Sequence, residues 1–171
     1  MNYPESTLQY RVYEDKTDLI GIAKIKLPDI KCLTQDVSGA GIAGKIEAVL
    51  MGQIEAMTLE MDFVTQTGKA LQLAEMRRHN IDLRIANQVE DPVAGTIGVQ
   101  AEKHIFVVVP KSLSGATIET ATASTASGQY AVRYWAAYKD GEKIIEIDPF
   151  NGICIINGTD HMAAVRAALG M

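Results

Sequence analysis

Gly39-Ala40-Gly41-Ile42-Ala43-Gly44 has the spacing G-x-G-x-x-G. At the mouth of a helix such a loop brings backbone amides to a pyrophosphate, and an acidic residue about 20 positions on holds a ribose. Glu60 and Asp62 stand near that distance. The chemistry implied is that of a small nucleotide-binding oxidoreductase. The context argues otherwise. The run from Lys45 to Met51 is cut short by Gly52, too soon for the helix whose N-terminus would carry the phosphates. A flexible loop that needs backbone freedom is the plainer reading.

The other reactive side chains form no constellation. His79, His104 and His161 are scattered, and none has metal-ligand spacing with Cys32 or Cys154. No serine sits in G-x-S-x-G. Glu60 and Asp62 share one strand face, where a solvated acidic surface is the simpler reading than a glycosidase pair. Lys69, Arg77 and Arg78 are the main basic cluster and read as a solvated helix face or an interface. Tyr130, Tyr134, Trp135 and Tyr138 fit one apolar strand face plus an exposed Trp135 acting as an interface anchor. No catalytic residue, cofactor or metal is expected.

The elements that would position these residues are mostly strands. The chain has 171 residues, enough for one domain spanning 1–171 with a real core. The formal net charge of −5 argues against tight binding to a phosphate backbone. Two distant cysteines fit free thiols. The start, Met1 to Ser6, lacks a basic region followed by an apolar run, and no apolar stretch is long enough to span a membrane. Synthesis in the cytosol is expected.

Alternation predicts strands over 8–14, 19–27, 30–37, 57–63, 81–86, 99–109, 129–138, 143–148 and 153–156. The apolar phase slips between Ile22 and Ile25, which suggests a bulge or twist. Residues 68–79 read as a helix ending at His79, and Asp160 to Leu169 as a second, with Thr159 or Asp160 as N-cap and Gly170 at its end. Asp140-Gly141 marks a hairpin turn. Residues 112–128, rich in Ser, Thr, Ala and Gly, read as a mobile loop, and 1–7 stay unassigned. The expected fold is mainly β, an antiparallel closed or nearly closed barrel or sandwich, with one internal α-helix and a C-terminal helix.

Two blocks frame the chain. One runs Leu27-Pro28-Asp29-Ile30, then Ser38 to Gly44, then the strand Met57–Phe63. The other holds Asp140-Gly141-Glu142, Glu146-Ile147-Asp148, Asn157-Gly158-Thr159-Asp160, Arg166 and Leu169-Gly170. In order and spacing these blocks resemble the major tail tube proteins of contractile-tailed phages, relatives of R-type bacteriocin and type VI secretion tubes. The resemblance implies a non-enzymatic subunit of hexameric rings, stacked into a hollow tube inside a contractile sheath. It implies a virion tail in which DNA passes along the lumen, or the tube of a headless phage-tail-like bacteriocin. Implied partners are further copies of the chain, the sheath protein, baseplate or initiator and terminator proteins, and a tape measure protein and DNA in the lumen.

The residues themselves fit assembly. Residues 38–52 are Gly-rich yet carry Ile42, Ile46, Val49, Leu50 and Met51. Such a segment makes sense in water only if it orders against a neighbour. Gly39, Ala40, Gly41, Ile42, Gly44, Ile46, Val49, Leu50 and Met51 are therefore expected to make the contact between rings. Val99–Val109 is expected as an edge strand that pairs between subunits. Glu60 and Asp62 are candidates for a lumen face that repels phosphate.

Overall fold

The computed structural model describes residues 2–18, 21–65 and 68–171; Leu19 and Ile20, the start of one expected strand, lie outside them. Twelve strands and two short helices follow in order among the described residues: β1 (Tyr3–Glu14), β2 (Thr17–Asp18), β3 (Ile22–Lys26), β4 (Cys32–Val37), β5 (Ile46–Ile54), β6 (Thr58–Phe63), α1 (Gly68–Leu73), β7 (His79–Asp91), β8 (Thr96–Leu113), β9 (Ala126–Lys139), β10 (Glu142–Asp148), β11 (Ile153–Ile156), β12 (Thr159–Asp160) and α2 (Ala163–Leu169). The mainly antiparallel β architecture with one internal and one terminal helix is the expected one. N-terminal residues without an assignment from sequence prove to be the start of β1.

One sheet carries most of the strands. Its order runs β3-β6-β9-β8-β7-β1, all antiparallel. Residues Ala126–Ala131 of β9 pair with β6, while Trp135–Lys139 pair with β10, so β10-β11-β12 branch from the far half of the same strand. The sheet does not close into a barrel. β1 and β3 still come within hydrogen-bonding distance, the Tyr10 hydroxyl donating to the Ile22 carbonyl 3.2 Å away.

The core sits on one face of the sheet. Met57, Leu59, Met61 and Phe63 are buried at every second position, and Ile81, Leu83, Phe106, Val108, Tyr130 and Trp135 meet them from the neighbouring strands. Alternation with one face buried fixes strand register, because a one-residue slip would expose the whole set. The bulge expected near Ile22 is present, as a register shift between Ile22 and Lys24.

Four sequence expectations need correction. The internal helix stops at Leu73, not His79. Ala70 and Leu73 enter the core, after which the chain must reverse into β7. Tight turns from Ala74 to Leu71 and Glu75 to Gln72 make that reversal, and the His79 ring holds it by donating from Nε2 to the Glu75 carbonyl at 2.9 Å. His79 is thus a buried strand residue, its Nδ1 on the Glu14 carboxylate, which also accepts from Arg77 at 3.0 Å.

The strand expected over 99–109 is an edge only at its start, since β7 alone pairs Val99–Ala101 whereas β7 and β9 flank Glu102–Val108. It belongs to β8, which runs through a buried Pro110 to Leu113 and is paired by β7 and β9 on either side. Trp135 is buried, not exposed. A register shift between Val107 and Val108 leaves Arg133 as an extra residue and inverts the phase of β9. Trp135 therefore points inward, stacks on Phe106 and donates its indole N–H to His104 Nδ1 at 3.2 Å. Tyr134 takes the outward place, its hydroxyl on Glu146 Oε1 at 3.0 Å. Finally, α2 starts at Ala163, with Asp160 accepting from the Met162 backbone N–H just before it. Gly170 ends it in the left-handed conformation, φ 74°, as expected.

Residues 114–125, between β8 and β9, form no helix or strand. Ser114 and Ser127 bond across their base.

Candidate assembly site

The Gly-rich segment is the turn of a hairpin. Residues 38–45 connect β4 to β5, and Gly41 and Gly44 take positive φ of 89° and 121° there. A strand, not a helix, follows Gly44, so the dinucleotide reading has no helix N-terminus on which to place a pyrophosphate. Among the described residues no group of three His, Cys, Asp or Glu side chains is placed to hold a metal. No helix there is long and apolar enough to cross a membrane.

The hairpin forms its own two-stranded sheet, with Val37 opposite Ile46, Gln35 opposite Ala48 and Thr34 opposite Val49. All of β4 is exposed and no residue of β5 is buried. Val49 and Met51 stand 64% and 61% exposed, alongside exposed Leu33, Val37, Ile46 and Leu50. Ile42, in the turn, is half-buried. An isolated two-stranded hairpin is marginal in water. Lys45 and Asp36 pair at 2.5 Å across its end, but an exposed ion pair adds at most about 1 kcal/mol. This arm therefore carries an apolar surface that stands exposed among the described residues.

Among the described residues the arm meets the body at its base. Gly52 lies at φ 70°, and a Cβ there would fall 2.3 Å from Met162 Sδ. A small hollow of about 100 Å³ lies among Gly52–Ile54, Ile147, Gly152 and Met162. The arm base thus rests on β10, β11 and the entry to α2. Arg166 braces that platform by donating to the Gly152 carbonyl at 2.8 Å and to Asp160. The two framing blocks of the sequence meet here, far apart along the chain yet in contact. Sequence reading missed Met162 and the docking role of Gly52, because the contact spans about 110 residues and no local pattern marks it.

Replacing Gly52 by Ala strains a left-handed residue, at a cost of about 1–2 kcal/mol, and pushes on Met162. Urea unfolding should show a loss of that size, and an unchanged midpoint would show that the arm base does not constrain this turn. The platform also depends on pH. The Asp160 carboxyl is held below the usual aspartate range, first by its hydrogen bond with Arg166 and then by the Met162 backbone N–H. A carboxylate with a depressed folded value contributes stability above its unfolded value and loses it as pH falls through the folded one. Asp160→Asn should therefore lower the melting temperature at pH 7, and the gap from wild type should shrink in acid below the aspartate range. A gap that stays constant with pH would contradict this.

Glu60 and Asp62 both face away from the core, half-buried. Register sets Lys26 opposite Glu60 and Lys24 opposite Asp62, and Gln129 donates to Glu60 at 3.4 Å. That face is one of alternating charge.

A family model for phage tail tube protein FII matches residues 4–170. The chain belongs to that tail tube family. Its fold is also that of chains in contractile machines. A chain in the cryo-EM structure of the PVC sheath/tube terminator, an extracellular contractile injection system in its extended state, matches with a TM-score of 0.54 and 12% identity, over 80% of this chain and 97% of that one. A chain of the PVC sheath-tube complex matches with a TM-score of 0.54 and 12% identity, over 80% and 92%. A chain of the anti-feeding prophage tube-terminating cap matches with a TM-score of 0.53 and 14% identity, over 80% and 91%. No curated protein sequence matches significantly. The family is one of structural tail tube proteins, which places the chain in the tail of a phage or phage-like particle.

Proposed function

We propose that this chain is the repeating subunit of a contractile tail tube. Six copies form a ring, and rings stack into a hollow tube inside a sheath, whose contraction drives the tube through a cell envelope. DNA then passes along the lumen. The observation that carries this reading is the β4–β5 arm, a hairpin whose apolar side chains stand exposed among the described residues. Residues 38–52 bridge adjacent rings, and the alternating-charge face of Glu60 and Asp62 turns to the lumen, where it offers phosphates no adhesive surface. Sheath, baseplate initiator and terminator proteins are the partners, in keeping with the complexes that hold its fold neighbours. The tape measure protein fills the lumen before DNA. The subunit is made in the host cytoplasm and ends in the virion tail. The injection-system neighbours support a second reading, the tube of a headless particle, and DNA content of purified particles separates the two.

Negative-stain electron microscopy across a concentration series tests the reading. Rings at low concentration and tubes at high concentration are expected. Small particles at every concentration, even with a baseplate initiator added, would contradict it.

A further inference from the structure

The outward face of the sheet carries a row of cations that neither core nor arm explains. Register sets Arg11 opposite Arg84, Arg84 opposite Lys103, Lys103 opposite Tyr138, and Tyr138 opposite Lys143. One line of side chains thus crosses β1, β7, β8, β9 and β10, about 19 Å at the usual strand spacing. Like charges directly opposite one another destabilise a sheet, and here two such pairs stand in succession.

Nearby carboxylates offset the row in part. Asp18 lies 3.4 Å from Arg11, Asp82 lies 3.1 Å from Arg84 and 3.7 Å from Lys103, and Glu146 lies 3.0 Å from Lys143. Four cations against three carboxylates leave +1. The floor is low because Ala86, Ala101 and Gly141 are small. A hollow of about 500 Å³ opens between Arg84, Lys103 and Tyr138, and a second of about 220 Å³ adjoins it across Arg84. Tyr13 forms a wall of the second, with the Arg84 guanidinium 5.1 Å over its ring.

The same chain carries a surface of opposite character. Beyond this row, β1, β7 and β8 project as a three-stranded end. Its segments, 3–9 and 85–100, contain Glu5, Glu90 and Asp91 and no Lys or Arg. Its tip is apolar, with Val93 and Ile97 91% and 69% exposed and Tyr3 and Val99 exposed beside them.

We propose that the acidic, apolar-tipped projection of one copy seats in the cationic trough of the next. Such a contact uses two different patches of one chain, so it is heterologous and propagates a ring or a stack. It rests on the tube reading and adds a contact separate from the arm. A nucleic acid is the weaker occupant, since binding a phosphate backbone needs clustered cations free of interleaved carboxylates.

A charge swap tests the pairing. Three variants are compared with wild type by sedimentation and microscopy: Arg84→Glu with Lys103→Glu, Glu5→Lys with Glu90→Lys, and all four together. Asp91 is left alone because its Oδ1 caps the turn at Val93 and Ala94. Lys103→Glu alone is the milder variant, and Trp135 fluorescence reports an intact fold. Each pair should raise the critical concentration for assembly at least about tenfold, and the four together should bring it back most of the way. Pairs that assemble like wild type, or a loss that the fourfold variant leaves unrepaired, would overturn the pairing. So would a trough variant that assembles normally but no longer retains added duplex DNA. A wild-type chain that never assembles sinks the tube reading, and this proposal with it.

Discussion

Replacing Val49 and Met51 by Asp abolishes long tubes while leaving the subunit folded. Both side chains are largely exposed on the arm, so the isolated subunit loses no core contact. In the tube each would bury an apolar side chain against the next ring, a stabilisation of about 1.5–3 kcal/mol apiece. Losing two of them corresponds to a critical concentration roughly 100- to 20,000-fold higher. Burying a carboxylate in their place costs more still. The melting temperature of the dilute subunit should stay within a few degrees of wild type. Tubes of normal length from this variant would show that the arm is not the contact between rings.

The second large effect lies inside the fold. Glu14 and His79 are almost fully buried and hydrogen-bonded to each other, and Arg77 closes the group from the turn after α1. This cluster ties β1, which supplies one wall of the trough and one strand of the projection, to the start of β7. Removing Glu14 leaves the buried His79 ring nitrogen and Arg77 without their shared partner, at a cost of about 1–3 kcal/mol. Glu14→Ala should therefore lower the melting temperature by about 2–12 °C for a domain of this size. A double variant, Glu14→Leu with His79→Phe, should recover part of the loss, because an apolar pair leaves no buried polar group unsatisfied. A loss below about 1 kcal/mol from Glu14→Ala would mean that the pair contributes little beyond its packing.

Local chemistry made much of the fold legible in sequence. The strict alternation of Met57, Leu59, Met61 and Phe63 gave β6 and its buried face. Asp140-Gly141 and Asn157-Gly158 gave two hairpin turns, and each pair takes positive φ at both positions. Gly170 gave the end of α2. What failed depended on distant contacts. Good helix formers run to Arg78, but His79 and Arg77 are drawn to Glu14 from another strand, and the helix yields. Trp135 looked exposed because period-two counting across β9 takes no account of the extra residue at Arg133, which only the pairing with β8 reveals.

The assembly arm was legible as a contradiction, Gly-rich yet apolar, though not as a hairpin with its own strand pairing. The platform under it was not. Gly52 read as a break, whereas its bare backbone is what lets Met162 come close. The cationic row escaped for the same reason, since Arg11, Arg84, Lys103 and Lys143 come from four strands and form no cluster in sequence.

The most direct test is a helical reconstruction by cryo-electron microscopy of tubes grown from the purified chain. The expected map shows six subunits per ring, with Ile46, Val49 and Met51 buried against the ring above or below. A map in which the arm lies in solvent, or in which the chain forms no closed ring, would contradict the assignment of this protein as a tube subunit joined through its β4–β5 arm.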